Sequence, residues 1–263
     1  MAAILRINCD ASIDGHNIWC FTGLLTTAYG IHVDKHRIEE RAKEIQTELW
    51  NGRRDLWPSK KVSPFDVLDP GAAAHILNVQ YVELEEIGGD RFTFKGQRFR
   101  VAGLLDRQSQ RIAVATSFGR DVVRFTGAHE IGHWVLHPDQ VMHRDRALDG
   151  SGLPSGSRDF REKEADYFAA CFLMPLRLIL EAFKYRFGSA DSFIVDDRVA
   201  FHLCPSDHES LLRVERDSLD REFALANCKS FNGNYFKSLS ELFGVSRTAM
   251  AIRIKELRIL RWP

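Results

Sequence analysis

Five residues in two short stretches have side chains and spacings that could do chemistry together. The first stretch reads His129-Glu130-Ile131-Gly132-His133. On an α-helix, positions i and i+4 lie on one face, one turn apart. Two imidazoles so placed can bind one zinc ion, at roughly 2.0–2.1 Å each. Glu130 follows the first imidazole and can reach a water beside the metal, where it would act as general base. The second stretch, Glu162-Lys163-Glu164-Ala165-Asp166, puts two carboxylates on one helical face. Glu162 can be the third ligand, because catalytic zinc takes three protein groups and keeps one position for water. Asp166 can accept a hydrogen bond from the far nitrogen of a ligand histidine and so fix its tautomer.

Blander readings compete. The histidines could be hydrogen-bonded side chains of an amphipathic helix. Glu162 could close a capping box with Asp159, three residues earlier, or Glu162 and Glu164 could be solvated charges. The two stretches together favour the metal reading over each alone. His137 shares the face of His129 and His133, but eight residues of helix span about 12 Å. His129 and His137 therefore cannot bind one ion while the helix continues, and His137 reads as a partner or cap for the helix C-terminus.

Both stretches need helices to position them. Val122, Val123, Phe125, Ile131, Trp134, Val135 and Leu136 flank the first motif as a buried helix would require. Asp121 could cap its start, and Pro138 stops it. Gly132 costs about 1 kcal/mol in a helix relative to alanine, which suggests that another backbone passes close by. The second helix runs from Asp159 to Met174, ended by Pro175. Its Ala165, Ala169 and Ala170 would let it pack closely against the first.

The chain around these helices has 263 residues, enough for one large domain or two small ones. Hydrophobic content of 44% with 27% charged residues is that of a globular protein in water. A formal net charge of zero gives no global field favouring nucleic acid. The five cysteines, at 9, 20, 171, 204 and 228, form no C-x-x-C pair, which argues against a thiolate zinc site and a disulfide framework. A reducing, cytoplasmic setting follows as the expectation. No apolar run approaches the roughly 18 residues of a membrane span, and no secretory signal is expected at the N-terminus.

Residues 1–34 read as an N-terminal extension without an assigned role, with a short strand over Ile4–Ile7. From Asp34 to Trp50, Ile38, Ala42, Ile45 and Leu49 recur at helical spacing behind Asp34 as N-cap. From Val79 to Ser117 the period shifts toward two, which predicts three or four antiparallel strands. The last, Arg111 to Ala115, leads into the metal helix, and its exposed edge would pair with an extended peptide by β-addition. Asp139 to Ser157 has the composition of a mobile surface loop. Tyr167, Tyr185, His202 and His208 are unranked candidates for stabilising an oxyanion. The irregular spacing of His202 and His208 makes a second metal site a weak reading.

These residues also resemble a known family. Arg124-Phe125-Thr126, the 129–133 motif followed by Leu136-His137, and E-K-E-A-D-Y-F-A-A-C-F-L-M-P from Glu162 to Pro175 are similar to the ImmA/IrrE metallo-endopeptidases. That family commonly reads E-x-x-A-N-x-F-A-A-x-L-L-M-P; Asp166 stands where Asn is usual and preserves an acceptor. Gly127 replaces a more usual aliphatic residue. The resemblance covers roughly 34–180 plus the tail. It implies a zincin-like fold, His129, His133 and Glu162 as ligands, Glu130 as catalytic base, and helix-turn-helix repressors of mobile elements or stress regulons as substrates.

The tail has helix-turn-helix phrasing over about 237–260: a short helix, a turn at Gly244, a cap at Ser246 and then an amphipathic helix from Arg247 to Leu257. Six Lys and Arg against two Glu from Lys237 to Pro263 leave a net +4, which would suit phosphate contacts. The resemblance favours packing on the peptidase core, since many family members end in similar V-S-x-x-A-x-x-x-R tails.

The sequence thus predicts an α+β, zincin-like metallopeptidase with a small antiparallel sheet packed on helices. Its expected organisation is an extension at 1–34, a peptidase domain at 35–187 and a mainly helical region at 188–263. The expected activity is zinc-dependent cleavage of a protein, a helix-turn-helix repressor, without a membrane partner. The alternative is a DNA- or protein-binding regulator whose metal site is structural or vestigial; an intact Glu130 argues against it.

Overall fold

The computed structural model describes residues 33–88, 93–94, 97–98, 100–146, 159–188 and 193–261. The strand expected at Ile4–Ile7, with the rest of the extension to residue 32, lies outside the described residues. From Val33 onward the chain forms one compact unit.

Helix α1 (Lys35–Asn51) starts where Asp34 Oδ1 accepts from the Arg37 amide at 3.1 Å, and its Ile38, Ala42, Ile45 and Leu49 face inward. Short α2 (Arg53–Leu56) and α3 (Pro70–Ile76) follow; Pro70 opens α3, and Asp69 caps it through the Ala72 amide. Next come β1 (Gln80–Leu84), the small hairpin of β2 (Thr93–Phe94) and β3 (Gln97–Arg98), β4 (Val101–Asp106) and β5 (Arg111–Ala115). Helix α4 (Arg120–Leu136) leaves β5 directly, and β6 (Met142–Arg146) returns the chain to the sheet. Beyond it lie α5 (Phe160–Leu173), α6 (Leu176–Phe187), β7 (Phe193–Ile194), α7 (Asp197–Leu203), α8 (His208–Arg213), α9 (Asp220–Asn227), β8 (Ser230–Phe231), β9 (Asn234–Tyr235), α10 (Leu239–Phe243), α11 (Arg247–Glu256) and β10 (Leu260–Arg261).

The main sheet has the order β1-β5-β4-β6. It is mixed rather than antiparallel: β1 runs parallel to β5, with Gln80 opposite Arg111, because the chain reverses twice between them, before β4 and again in the β4–β5 turn. This order corrects the expectation that Arg111–Ala115 offers a free edge. Strand β5 is interior, with backbone partners on both sides, and four of its five residues are buried. The expected loop is also corrected: Met142–Arg146 pairs with β4 as an edge strand.

Helix α4 begins at Arg120 with Gly119 as N-cap, so Asp121 does not cap it. Asp121 sits in the first turn, where a carboxylate still favours the helix dipole. At the other end Arg107, in the β4–β5 turn, donates to the carbonyls of His133, Trp134, His137 and Gln140. One guanidinium thereby gathers carbonyls at the helix C-terminus, among them that of Trp134, whose usual donor four residues on is Pro138 and has no N–H. It also lies over the Trp134 ring, 4.4 Å from its centroid.

One hydrophobic core runs from Ile38 and Ile45 of α1 through Ala128 and Ile131 of α4, Phe168 and Phe172 of α5, to Leu225, Leu239, Met250 and Ile254 of the tail. Fully burying each large apolar side chain contributes about 1.5–3 kcal/mol. A smaller cluster of Ile87, Val101, Ala113 and Ala115 packs separately with Leu104 and Phe118. The tail shows the expected turn chemistry. Ser238 and Glu241 form a capping box, Gly244 takes a left-handed conformation (φ 62°), and Ser246 caps α11. Its charge is partly inward: Arg253 is buried, donates to the Met174 carbonyl and Glu256, and lies over Tyr167. No described helix is long and apolar enough to cross a membrane.

Candidate metal centre

Helix α4 passes through the interior, with every residue from Thr126 to His133 buried. The i, i+4 spacing brings the Nε2 atoms of His129 and His133 to 3.0 Å from each other. Helix α5 lies against α4, and its first turn brings Glu162 to the pair: Oε2 is 3.5 Å from His129 Nε2, and Oε1 is 3.4 Å from His133 Nε2. The capping-box reading of Glu162 is not realised, since Asp159 makes no side-chain cap bond. Gly132 makes this approach possible. A Cβ there would sit 3.1 Å from the backbone of Ala165 and 3.2 Å from Phe168 Cβ. The close backbone that a mid-helix glycine suggested is α5.

The hydrogen bonds behind the two imidazoles fix their tautomers. His129 Nδ1 lies 2.9 Å from Asp166 Oδ1; a carboxylate only accepts, so this nitrogen carries the proton. His133 Nδ1 is 2.9 Å from Gln140 Oε1 and 3.0 Å from His137 Nδ1, and it donates to this pair. His137, the C-cap residue of α4, in turn donates from Nε2 to Glu164 Oε2 at 3.0 Å, and Arg37 stands 3.6 Å from Glu164. His137 is thus a support for His133, outside the ligand cluster. With both Nδ1 atoms protonated, both Nε2 atoms carry lone pairs.

Two lone pairs facing each other at 3.0 Å, beside a carboxylate, repel unless a cation lies among them. Tetrahedral ligands about 2.0–2.1 Å from one ion are roughly 3.3–3.4 Å apart. The separations of 3.0, 3.4 and 3.5 Å fit that set. The electrostatics agree. Burial pushes the His133 imidazole down, which keeps its lone pair available. Burial alone would raise Glu162, but the surrounding imidazoles of His129, His133 and His143 hold its carboxyl far below the usual range.

Glu130 is wholly buried beside the cluster. Its Oε2 lies 3.2 Å from His143 Nδ1, and its Oε1 has no hydrogen-bond partner among the described residues. Strand β4 makes room for it with Gly103, where a Cβ would come within 2.5 Å of Glu130 Oε1 and 2.6 Å of Thr126 Cγ2. A neighbouring glycine accounts for a departure from the family pattern. A Cβ at Gly127 would collide with the Tyr81 hydroxyl, so Tyr81 fills the space of the usual aliphatic side chain.

The sequence reading missed His143. It stands on β6, stacks on His133 with ring centroids 3.8 Å apart, and places Nε2 2.9 Å from Glu162 Oε1. Burial disfavours its charged form, but Glu130 and Glu162 push the imidazole up to about 9, a sign that the site's field favours positive charge. His129, His133, His143 and Glu162 each offer a ligand atom within 4.8 Å of the others. The set suits a divalent first-row cation held by imidazole and carboxylate. Met142-His143-Arg144-Asp145-Arg146 carries no metal-binding spacing, so only its pairing with β4 reveals the role.

The other candidates lie elsewhere. Tyr167 donates its hydroxyl to Glu39, and Tyr185 is exposed. His202 packs against the rings of Phe201 and Phe231, and His208 against Phe201.

A family model described as Peptidase_M78, the IrrE N-terminal-like domain, matches residues 72–200. That span contains α4, α5, the whole main sheet and every group of the cluster. No curated protein matches the chain. The matched span and the cluster within it make residues 72–200 a metallopeptidase domain of the ImmA/IrrE family.

Proposed function

We propose that the chain is a zinc-dependent endopeptidase that cuts a helix-turn-helix repressor and so relieves repression. One observation carries the chemistry: two Nε2 lone pairs and the Glu162 carboxylate converge, with the buried carboxylate of Glu130 alongside. Imidazole and carboxylate together suit zinc. Zinc, when bound, supplies a Lewis acid that polarises the scissile carbonyl and activates water at neutral pH.

The chain's own residues do the rest. Asp166 and Gln140 hold His129 and His133 with their Nε2 atoms directed at the metal. Glu162 adds the negative charge that favours a dication. Glu130 Oε1, buried and without a partner among the described residues, takes a proton from the attacking water and delivers it to the leaving amine. The burial of these groups keeps bulk water from competing and strengthens their interactions.

The repressor as substrate rests on the family resemblance, and the thiols of Cys171, Cys204 and Cys228, all free, suit a reducing cytoplasm. The test is incubation of the zinc-loaded protein with the repressor encoded nearest its own gene. A single cut, lost on chelation, is expected. A repressor that stays intact while repression is relieved in the cell would contradict the proposal.

A further inference from the structure

His143 is one ligand more than a three-ligand peptidase site needs. Catalytic zinc keeps a coordination position for water, whereas four protein ligands fill a tetrahedron. His143 Nε2 lies 2.9 Å from Glu162 Oε1, within the group whose ligand atoms are all mutually close. Its Nδ1 faces Glu130 Oε2 at 3.2 Å, the outward carboxylate contact that orients a metal-binding imidazole. In this arrangement one oxygen of Glu130 is engaged by His143.

The strand that carries His143 occupies a second place that a substrate would need. An extended peptide joins a sheet through the backbone of a free edge. Strand β4, with Gly103 against Glu130, is the strand beside the cluster, and β6 already pairs along it from Asp106–Met142 to Val101–Arg146. His143 stands opposite Leu105 in that ladder. One five-residue segment thus fills both the fourth ligand position and the neighbouring edge. It lies at the margin of the sheet. Met142 is 50% exposed, Val141 is 53% exposed, and β6 is the terminal strand of the sheet. A terminal strand is held by the sheet on one side only, and such marginal segments can open locally without global unfolding.

We propose that β6 is a self-capping strap: His143 closes the metal site in the resting protein, and an extended segment of the substrate displaces β6 from β4, which frees the fourth position. The exchange replaces one set of strand hydrogen bonds with another, so little backbone bonding is lost. This inference rests on the metallopeptidase reading above, and it makes occupation of the β4 edge the step that switches the site on.

The test uses the full-length protein loaded with Co(II), whose absorption reports ligand number, with acetohydroxamate as a small probe of an open position. His143→Ala is expected to keep stoichiometric cobalt through His129, His133 and Glu162. Its visible spectrum should change as a protein nitrogen is replaced by solvent. Acetohydroxamate should bind it at least about tenfold more tightly than it binds the wild type, the factor expected if the open form is about a tenth of the resting population. Leu104→Cys/Arg144→Cys provides a second arm, because these residues are paired across β4 and β6 and lie within disulfide reach. Oxidation should pin the strap, abolishing acetohydroxamate binding and proteolysis together, and dithiothreitol should restore both.

Identical spectra and equal acetohydroxamate affinities in wild type and His143→Ala would overturn the proposal. So would a pinned variant that binds acetohydroxamate and cleaves as well as the reduced form. Loss of cleavage in His143→Ala with an unchanged spectrum would make His143 a transition-state group and would also overturn it. Cobalt binding to neither protein is a different failure, because it removes the metal site itself.

Discussion

The α4–α5 pair and the α10–α11 tail both follow from short sequence phrases, yet they treat buried polarity in opposite ways. In the tail it is consumed. Arg253 is 3% exposed and shares its guanidinium among the Met174 carbonyl, Glu256 and the Tyr167 ring. Ser238 and Ser246 cap their helices, and Lys255 donates to the carbonyls of Asp217 and Ser218. In the α4–α5 pair the outward nitrogens are equally well served, but the inward atoms converge on one another. Glu130 Oε1 is buried with no partner among the described residues. A group buried without a partner costs about 1–3 kcal/mol. The fold accepts that cost beside the metal cluster and arranges the tail to avoid it. The contrast separates a motif that builds structure from one that builds a site.

Substitutions can break this contrast, and the largest effect is expected at the ligands. His133→Ala and Glu162→Ala should each lose the metal, read by metal analysis of the purified proteins, while circular dichroism keeps its helical signature. Retention of full metal by either variant would remove that residue from the site. Arg253→Ala should do the reverse. It leaves metal content unchanged but destabilises the fold by about 2–4 kcal/mol, through lost packing and hydrogen bonds to a charged group. Denaturant unfolding measures this, and an unchanged midpoint would show that the tail is not tied into the core through Arg253.

Smaller effects sharpen the picture. Arg107→Ala removes the shared donor from four carbonyls at the end of α4 and should cost about 1–3 kcal/mol. It should also weaken metal binding, because Gln140 and His137 lose their anchor; equal affinity for metal would detach this corner from the site. Asp166→Ala should weaken metal binding by roughly 10–100-fold, the usual range for removing the partner of a ligand histidine. Asp166→Asn should cost far less, since its side-chain oxygen still accepts from His129 Nδ1. A chelator competition series ranks the three proteins, and equal losses for Ala and Asn would show that charge matters more than tautomer.

What could be read from the sequence depended on how locally each feature is encoded. His129, Glu130 and His133 sit within one and a half turns, so helical spacing alone places them together. Glu162 and Asp166 repeat that logic on α5, and Gly132 signalled the close contact between the two helices. The tail's caps and its left-handed Gly244 follow from residue type. Long-range pairing was not legible. The parallel register of β1 and β5 depends on a crossover, and burial of β5 depends on which strands flank it. His143 reaches the cluster only because β6 folds back beside β4, so no spacing in its own segment announces it. Gly103 and Arg107 act on α4 from the same distant strand and turn.

Glu130→Gln tests the central claim most directly, with metal content and repressor cleavage measured on one preparation. The substitution keeps size and burial and removes the base, and Glu130 is not among the grouped metal-ligand residues. Zinc content should match the wild type, while cleavage should fall by about 10²–10⁴-fold or more, the range for a general base. Equal cleavage by both proteins at equal zinc content would contradict the assignment of Glu130 as the base and the mechanism built on it.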